Sequence, residues 1–529
     1  MKLLKRIPLK RIFLLFSVPV ISFFVLGTLN RLYLSIAELL YPFPREYRDG
    51  ALIDIANQFA HGNNPYMAES ALPHTYSYGF IFPYIDSLIH RFVSIDLLYI
   101  HKFVTLMCIV FILYLAWKTI YMRGSSVIMA FAAVFIISSF YTVTLRPEPL
   151  AIALGLFMFF SLFREKKITP LHAIIYGSTA AGMYYIKQYF VLFFITLVVY
   201  FVFSQSKRLL IFLISSFVVF SFLSYLMINM ILPLYFPLTF INYLNMYSTH
   251  TIGHMISQTA AFSSANYVLI GIFLFETIRN ILPFKFRIDT KSLDKPLVGT
   301  DNFLLQDIFF ISALVSIIAL SIALGQHTGT ILTYYIELLP IPLTLFSLRF
   351  IQRDFKNKAY GRFVFIGTCV LLLFNYRSNL VFKQINYDNE KKSWSEIVQM
   401  INNNNPKKAY LSPQFTVESI RRDWPVMENG QTDVFFASEI YQPNQKVFKY
   451  LFPASRDVRQ TLDNWKQNIN KGLTDKNFSI VVIPSEYYSM INPELLRSNY
   501  KMIKTHVIPM NMGILEFWIP NTMSPDKTI

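Results

Sequence analysis

Five ionisable side chains crowd into ten residues of a single loop. They are Arg45, Glu46, Arg48, Asp49 and Asp54, in the stretch YPFPREYRDGALIDIANQFAHGNNPY at positions 41–66. A carboxylate facing a cavity can take the proton of a hydroxyl as that hydroxyl attacks an electrophile. An arginine fork beside it can hold two oxygens of a phosphate at once. Asp49 also has a structural use, because it precedes Gly50 and a helical-looking run, where an N-cap carboxylate would accept the first free backbone N–H groups. The two uses compete, since a carboxylate saturated by N–H donors is a weaker base.

Other chemistry-bearing residues are spread along the chain. Arg146 and Glu148 open the run TLRPEPLAIALGLFMFF, and Lys187 and Gln188 interrupt AGMYYIKQYFVLFF. Pro147 followed by Glu148 is ordinary helix-start chemistry, and Lys187 could simply snorkel. Cations at the outer surface of a membrane nevertheless run against the usual charge bias, and phosphate capture would account for them. Glu337, in TYYIELLPIPL, would be an intramembrane carboxylate, which by default marks a polar cavity. His61 and His327 join it as cavity candidates. His250 and His254 have zinc-ligand spacing, but Gly253 weakens a helix there and no third ligand is evident, so no metal site is expected. No P-loop, dinucleotide fingerprint, zinc-protease helix or serine-hydrolase elbow occurs, which excludes nucleotide-driven transport and serine hydrolysis.

The elements that must position these groups belong to a membrane protein. Of 529 residues, 54% are hydrophobic and only 15% charged, against about 25% charged in ordinary soluble domains, and the mean hydropathy is +0.42. Apolar runs near 12–30, 97–120, 126–144, 148–163, 170–187, 189–204, 209–233, 265–283, 303–325, 330–348 and 362–378 predict about eleven transmembrane helices. Lys and Arg gather in alternate loops, such as Lys2 to Arg11, Lys118 with Arg123, and Arg349 to Arg362. Those loops are then cytoplasmic, and so is the N-terminus. The net charge of +17 is thereby explained as a topology signal, and no nucleic-acid partner is expected. The N-terminal segment reads as an uncleaved first span. Cys108 and Cys369 lie inside apolar runs, so no disulfide framework is expected. The expected organisation is a polytopic helical domain, 1–378, with an outer loop at 41–95, and an extracytoplasmic α/β domain at 379–529. The latter carries β-rich runs such as KKAYLSP, DVFFAS, FSIVVIPS and MGILEFWIP, separated by a helical DVRQTLDNWKQNINKG. Leu52, Ile55, Ala56 and Phe59 recur at helical spacing and predict an amphipathic helix lying in the membrane interface.

A basic N-terminus, one span and a long outer loop in which Asp49 follows Tyr47-Arg48, with Asp54, Ala56, Gly62, Pro65 and Tyr66 after it, resembles the GT-C glycosyltransferases. HTYSYGFIFPYIDSLIH resembles the tyrosine- and proline-bearing end of that family's loop, and RPEPLAIAL the start of an inner span. The resemblance covers about residues 1–350 as architecture. It implies transfer with inversion of a sugar from a polyprenyl-phosphate donor to a hydroxyl of a glycan, lipid or protein acceptor at a bilayer; the scarcity of cysteine and the lack of a retention signal fit a bacterial inner membrane better than an endoplasmic reticulum. It implies Asp49 as the base, with Glu46 one helical turn away as the alternative. It places Arg146, Glu148, Lys187, Gln188, Arg48 and Tyr78 on the donor side. Several relatives carry two adjacent acidic residues where Tyr47 and Arg48 separate Glu46 from Asp49, which leaves the choice of base and a divalent cation open. A surface-polysaccharide polymerase or ligase, a transporter and a non-catalytic scaffold are the other readings; the first usually has its large loop between late spans, and no paired halves support the second.

Overall fold

The computed structural model describes residues 9–45, 49–67, 74, 76, 78–121, 127–141, 143, 146–165, 168–239, 252–284, 310–316, 339–355, 359–381, 387–427, 458–485, 491–507 and 514–521. They divide into two units, one of Met1–Glu38, Thr105–Phe222 and Ser248–Gln384, the other of Leu39–Val104, Leu223–Tyr247 and Ile385–Ile529.

The first unit is helical. Its elements include most of α1 (Leu9–Leu40), most of α4 (Leu97–Tyr121), α5 (Val127–Ser138), α6 (Glu148–Arg164), α7 (Pro170–Met183), α8 (Leu192–Ser204) and much of α9 (Lys207–Ile231). Among the described residues, Leu15–Leu40, Leu97–Tyr121 and Lys207–Ile231 are long and apolar enough to cross a membrane, and the other apolar helices are shorter. The predicted run at 303–325 lies largely outside the described residues, and the one at 330–348 is described from 339 on, where a helix spans Pro340–Phe355. Polar residues inside α1 are explained by a clamp. Asn30 Nδ2 donates to the carbonyls of Asn379 and Val381 at 2.8 and 2.9 Å, Arg31 Nε donates to Asn379 Oδ1 at 2.6 Å, and Asn379 Nδ2 donates to Phe135 O at 3.0 Å. Satisfying those groups internally is what lets α1, α5 and the 377–381 turn pack where no water competes.

The second unit joins the segment Leu39–Val104 to the tail. Its sheet runs β1 (Ala409–Leu411), β2 (Ile480–Pro484), β4 (Ile514–Pro520), β3 (Tyr500–Val507), with β1 and β2 parallel and the other pairs antiparallel. The strands predicted at KKAYLSP, FSIVVIPS and MGILEFWIP are β1, β2 and β4; the one predicted at DVFFAS lies outside the described residues. β2 is buried on both faces, so its alternate residues feed two cores. Ile480 and Val482 join Trp394, Ile397 and Ile401 of the helix Asp388–Asn403. Val481 and Ile483 join Ile469 and Leu473 of the helix Val458–Thr474, which is the helix read in DVRQTLDNWKQNINKG.

The loop is built into this unit rather than laid beside it. Phe43 stacks on Trp394 with ring centroids 5.0 Å apart and planes 7° from parallel. Helix α2 (Asp49–Ala60) packs on α3 (Ile81–Val93) and on the helix Thr416–Arg422. A Cβ added at Gly50 would stand 2.6 Å from Thr416 Cβ, so only glycine lets the helices approach this closely. As a result Asp49 to Ala56 are all buried. The predicted helix is present; its first two turns are enclosed by protein, with the tail covering Gly50, whereas Asn57 and Gln58 are half-buried and His61 just beyond its end is exposed.

Arg421 fastens the tail to the loop. Its guanidinium donates to Asp96 Oδ2 at 2.5 Å, to Glu418 Oε1 at 2.6 Å and to the carbonyl of Pro42. Arg421→Met is expected to destabilise the unit by about 3 kcal/mol, the low end of what breaking a buried pair costs, because Asp96 keeps some solvent and Glu418 keeps Arg422. Hydrogen exchange should rise at 42–45 and 96–100 well before the sheet opens; unchanged protection there would remove this role.

Candidate functional site

Asp49 begins α2, and its Oδ2 accepts the backbone N–H of Arg45 at 2.7 Å. The hydrogen bond closes the chain entering the helix and leaves the carboxylate 5% exposed. Arg45 in turn lies over the Tyr41 ring, 3.7 Å from its centroid, and pairs with Glu390 of the tail at 3.2 Å. The residue that supplies the N–H to Asp49 is thus itself fixed by the tail. Glu46 and Arg48, the alternative base and the second loop cation, lie outside the described residues.

One turn and a half along α2, Asp54 is fully buried. Both its oxygens lie within 2.9 Å of His74 Nδ1, at 2.9 and 2.8 Å. A carboxylate only accepts, so Nδ1 carries the hydrogen and Nε2 is the free lone pair or the second N–H. Gln58 Nε2 stands 3.4 Å from Nε2, and Gln58 Oε1 accepts from Asn63 Nδ2 at 2.9 Å. His61, the other histidine of this helix, is exposed and bonds back to Asn57 O at 2.9 Å. The GNNPY stretch ends α2: Gly62 takes a φ of +79°, Asn64 Oδ1 accepts the Tyr66 N–H at 3.0 Å, and the Tyr66 ring meets Tyr235 edge-on at 5.4 Å. Tyr78 is part-exposed and packs against Tyr76 at 5.6 Å.

A second acid–imidazole pair lies on α3 and α4. His101 Nδ1 is 2.5 Å from Asp86 Oδ2, both side chains are fully enclosed, and Phe82 covers the imidazole at 4.2 Å. Burial pushes the Asp86 carboxyl above its ordinary range, and the His101 contact opposes that rise. Neither Asp86 Oδ1 nor His101 Nε2 meets a hydrogen-bond partner.

In the helical unit, Glu148 opens α6 and accepts from Lys187 Nζ and, at 3.2 Å, from Tyr189 OH. Arg146 lies near enough to act on the same carboxylate by charge. Glu148, Lys187 and Gln188 are all buried, and Glu148 Oε2 has no hydrogen-bond partner. Arg146, Glu148 and Lys187, read separately from the sequence as donor-side groups, are therefore gathered into one cluster. Lys187 is tied to Glu148, so the trio carries a single net positive charge rather than two free cations.

No protein-family model matches the chain, and no curated protein is significantly similar to it. Function therefore has to be argued from these clusters.

Glu337, His327 and His250 lie outside the described residues, as does the side chain of His254. Among the described residues no group of three or more His, Cys, Asp or Glu side chains converges, and Cys108 and Cys369 are both buried and not joined in a disulfide. Sequence reasoning passed over His74, Asp86, His101, Tyr189 and Arg421. The signal for Asp86 was present: a carboxylate among Phe82, Pro83 and Ser87, the other buried residues of α3.

Proposed function

We propose that the chain is an integral membrane glycosyltransferase of the GT-C kind, with about eleven spans and an extracytoplasmic α/β tail. It moves a sugar, with inversion, from a polyprenyl phosphate to an acceptor hydroxyl on the outer face of a bacterial inner membrane. Asp49 takes the hydroxyl proton as the oxygen attacks the anomeric carbon, and the polyprenyl phosphate leaves with the bonding electrons. Charge that grows on a phosphate needs positioned cations, and within the helical unit the candidates are Arg146 and Lys187.

The observation that carries this reading is the way Asp49 is held. A carboxylate fixed by the Arg45 N–H, inside a unit where loop and tail share one core, is a group whose position is set before substrate arrives. The three long apolar helices and the buried Glu148–Lys187 pair support the membrane setting and the donor side. The test uses the full chain in lipid nanodiscs with a short-chain polyprenyl-phosphate hexose. Polyprenyl phosphate should be released faster when a hydroxylic acceptor is added. A protein that binds no such lipid and releases none, with any hydroxylic acceptor offered, is not this kind of enzyme.

A further inference from the structure

The second unit contains two acid–imidazole pairs that differ in one respect. Asp86 and His101 are sealed, both side chains having no exposure. Asp54 is equally enclosed, but its partner His74 keeps 19% of its side chain exposed. The sealed pair can only brace α3 against α4. The open pair has a second use, because burying a carboxylate for a contact that stops at the surface leaves an oriented ring nitrogen there.

With Nδ1 committed to Asp54, the imidazole turns Nε2 away from the carboxylate. Among the described residues its polar neighbour is the Gln58 amide, whose nitrogen stands 3.4 Å from Nε2 and 3.3 Å from Nδ1 and so lies alongside both ring nitrogens. Gln58 is one helical turn from Asp54 and is only part-buried; its Oε1 holds the exposed Asn63 amide. Asp54, His74, Gln58 and Asn63 thus form a strip that runs from fully buried to exposed, each member fixed by the one before. Its free ends are one ring nitrogen and amide N–H groups. Donors and acceptors alternating along a pre-ordered strip are suited to neighbouring hydroxyls, each of which gives one hydrogen bond and takes another. They are poorly suited to an anion, because Asp54 lies behind them, or to an apolar chain.

We propose that this strip is the acceptor subsite, that it binds a polyhydroxyl acceptor, a glycan, and that His74 accepts a hydrogen bond from one of its hydroxyls. The proposal rests on the sugar-transfer reading and narrows its acceptor from glycan, lipid or protein to the first of these. His74 and Gln58 bind substrate here, and Asp54 positions His74; the proton itself goes to Asp49.

The experiment measures polyprenyl phosphate release by the full chain in nanodiscs, from a short-chain polyprenyl-phosphate glucose, against rising maltotriose, methyl glucoside or glycerol. Maltotriose should accelerate release saturably and at the lowest concentration. His74→Ala and Gln58→Ala should each raise the half-saturating concentration by up to about tenfold, the value of one hydrogen bond. The loss should fall chiefly on the half-saturating concentration. His74→Gln, which keeps a polar atom, should recover part of the loss, and Asp54→Asn should shift half-saturation in the same direction. If His74→Ala does not give a folded protein by size exclusion, the part-buried Gln58 carries the measurement. The inference is overturned if half-saturation is unchanged in these variants, if the maximal rate collapses at unchanged half-saturation, or if no polyol accelerates a release that does occur. A parent protein that releases nothing under any condition removes the transferase reading itself, and the subsite with it.

Discussion

Asp49→Asn is expected to lower the maximal rate of sugar transfer by about 10²- to 10⁴-fold, the contribution of a positioned general base, with donor half-saturation and membrane abundance unchanged. Asparagine keeps the size of the side chain and an oxygen that can still accept the Arg45 N–H, so the turn entering α2 survives. What it lacks is a site for the proton. The same substitution separates the two roles that the sequence leaves open, because asparagine caps a helix about as well as aspartate. If Asp49 serves only the helix, Asp49→Asn is nearly silent and Asp49→Ala costs roughly 1 kcal/mol of stability. If it takes the proton, both variants lose transfer and only alanine loses stability as well. Full transfer by Asp49→Asn in a nanodisc assay would return the base to Glu46 or to another group.

The sequence makes α2 legible as a helix through Leu52, Ile55, Ala56 and Phe59, but not what surrounds it. Periodicity reports which side of a helix avoids water; here, over the first two turns, both sides do. The second cover, Thr416 against Gly50, comes from more than 360 residues further along the chain, and no local pattern announces so distant a partner. β1, β2 and β4 are readable because they are apolar and short, whereas β3 was passed over. YKMIKTHV is exposed along most of its length at the sheet edge, so it has no alternation to detect. The acid–imidazole pairs were hidden for a related reason. In the sequence Asp54 is one of five charges in a loop, and His74 stands in a tyrosine-rich stretch 20 residues further on. Only folding brings the Asp54 carboxylate and the His74 ring across 20 residues. Buried charge is decided by pairing, and pairing is a property of the fold.

The Glu148–Lys187 pair carries the same lesson into the helical unit and gives the second large effect. Removing one partner breaks a buried pair, so Glu148→Gln and Lys187→Met alone should each destabilise, by up to about 3–5 kcal/mol and by less where Arg146 still faces the carboxylate, while the double variant Glu148→Gln/Lys187→Met should recover to within about 1 kcal/mol of the parent. Thermal unfolding in nanodiscs, arranged as a double-mutant cycle, measures the coupling directly. Function is expected to follow a different order from stability. If Lys187 is shared between Glu148 and a donor phosphate, neutralising Glu148 releases its positive charge, so Glu148→Gln should bind a polyprenyl phosphate more tightly and Lys187→Met more weakly. Arg146→Gln should weaken it as well, since Arg146 adds positive charge to the same cluster. If the double variant matches the parent in both stability and lipid affinity, the pair is a membrane brace, and the phosphate charge falls to Arg146 alone.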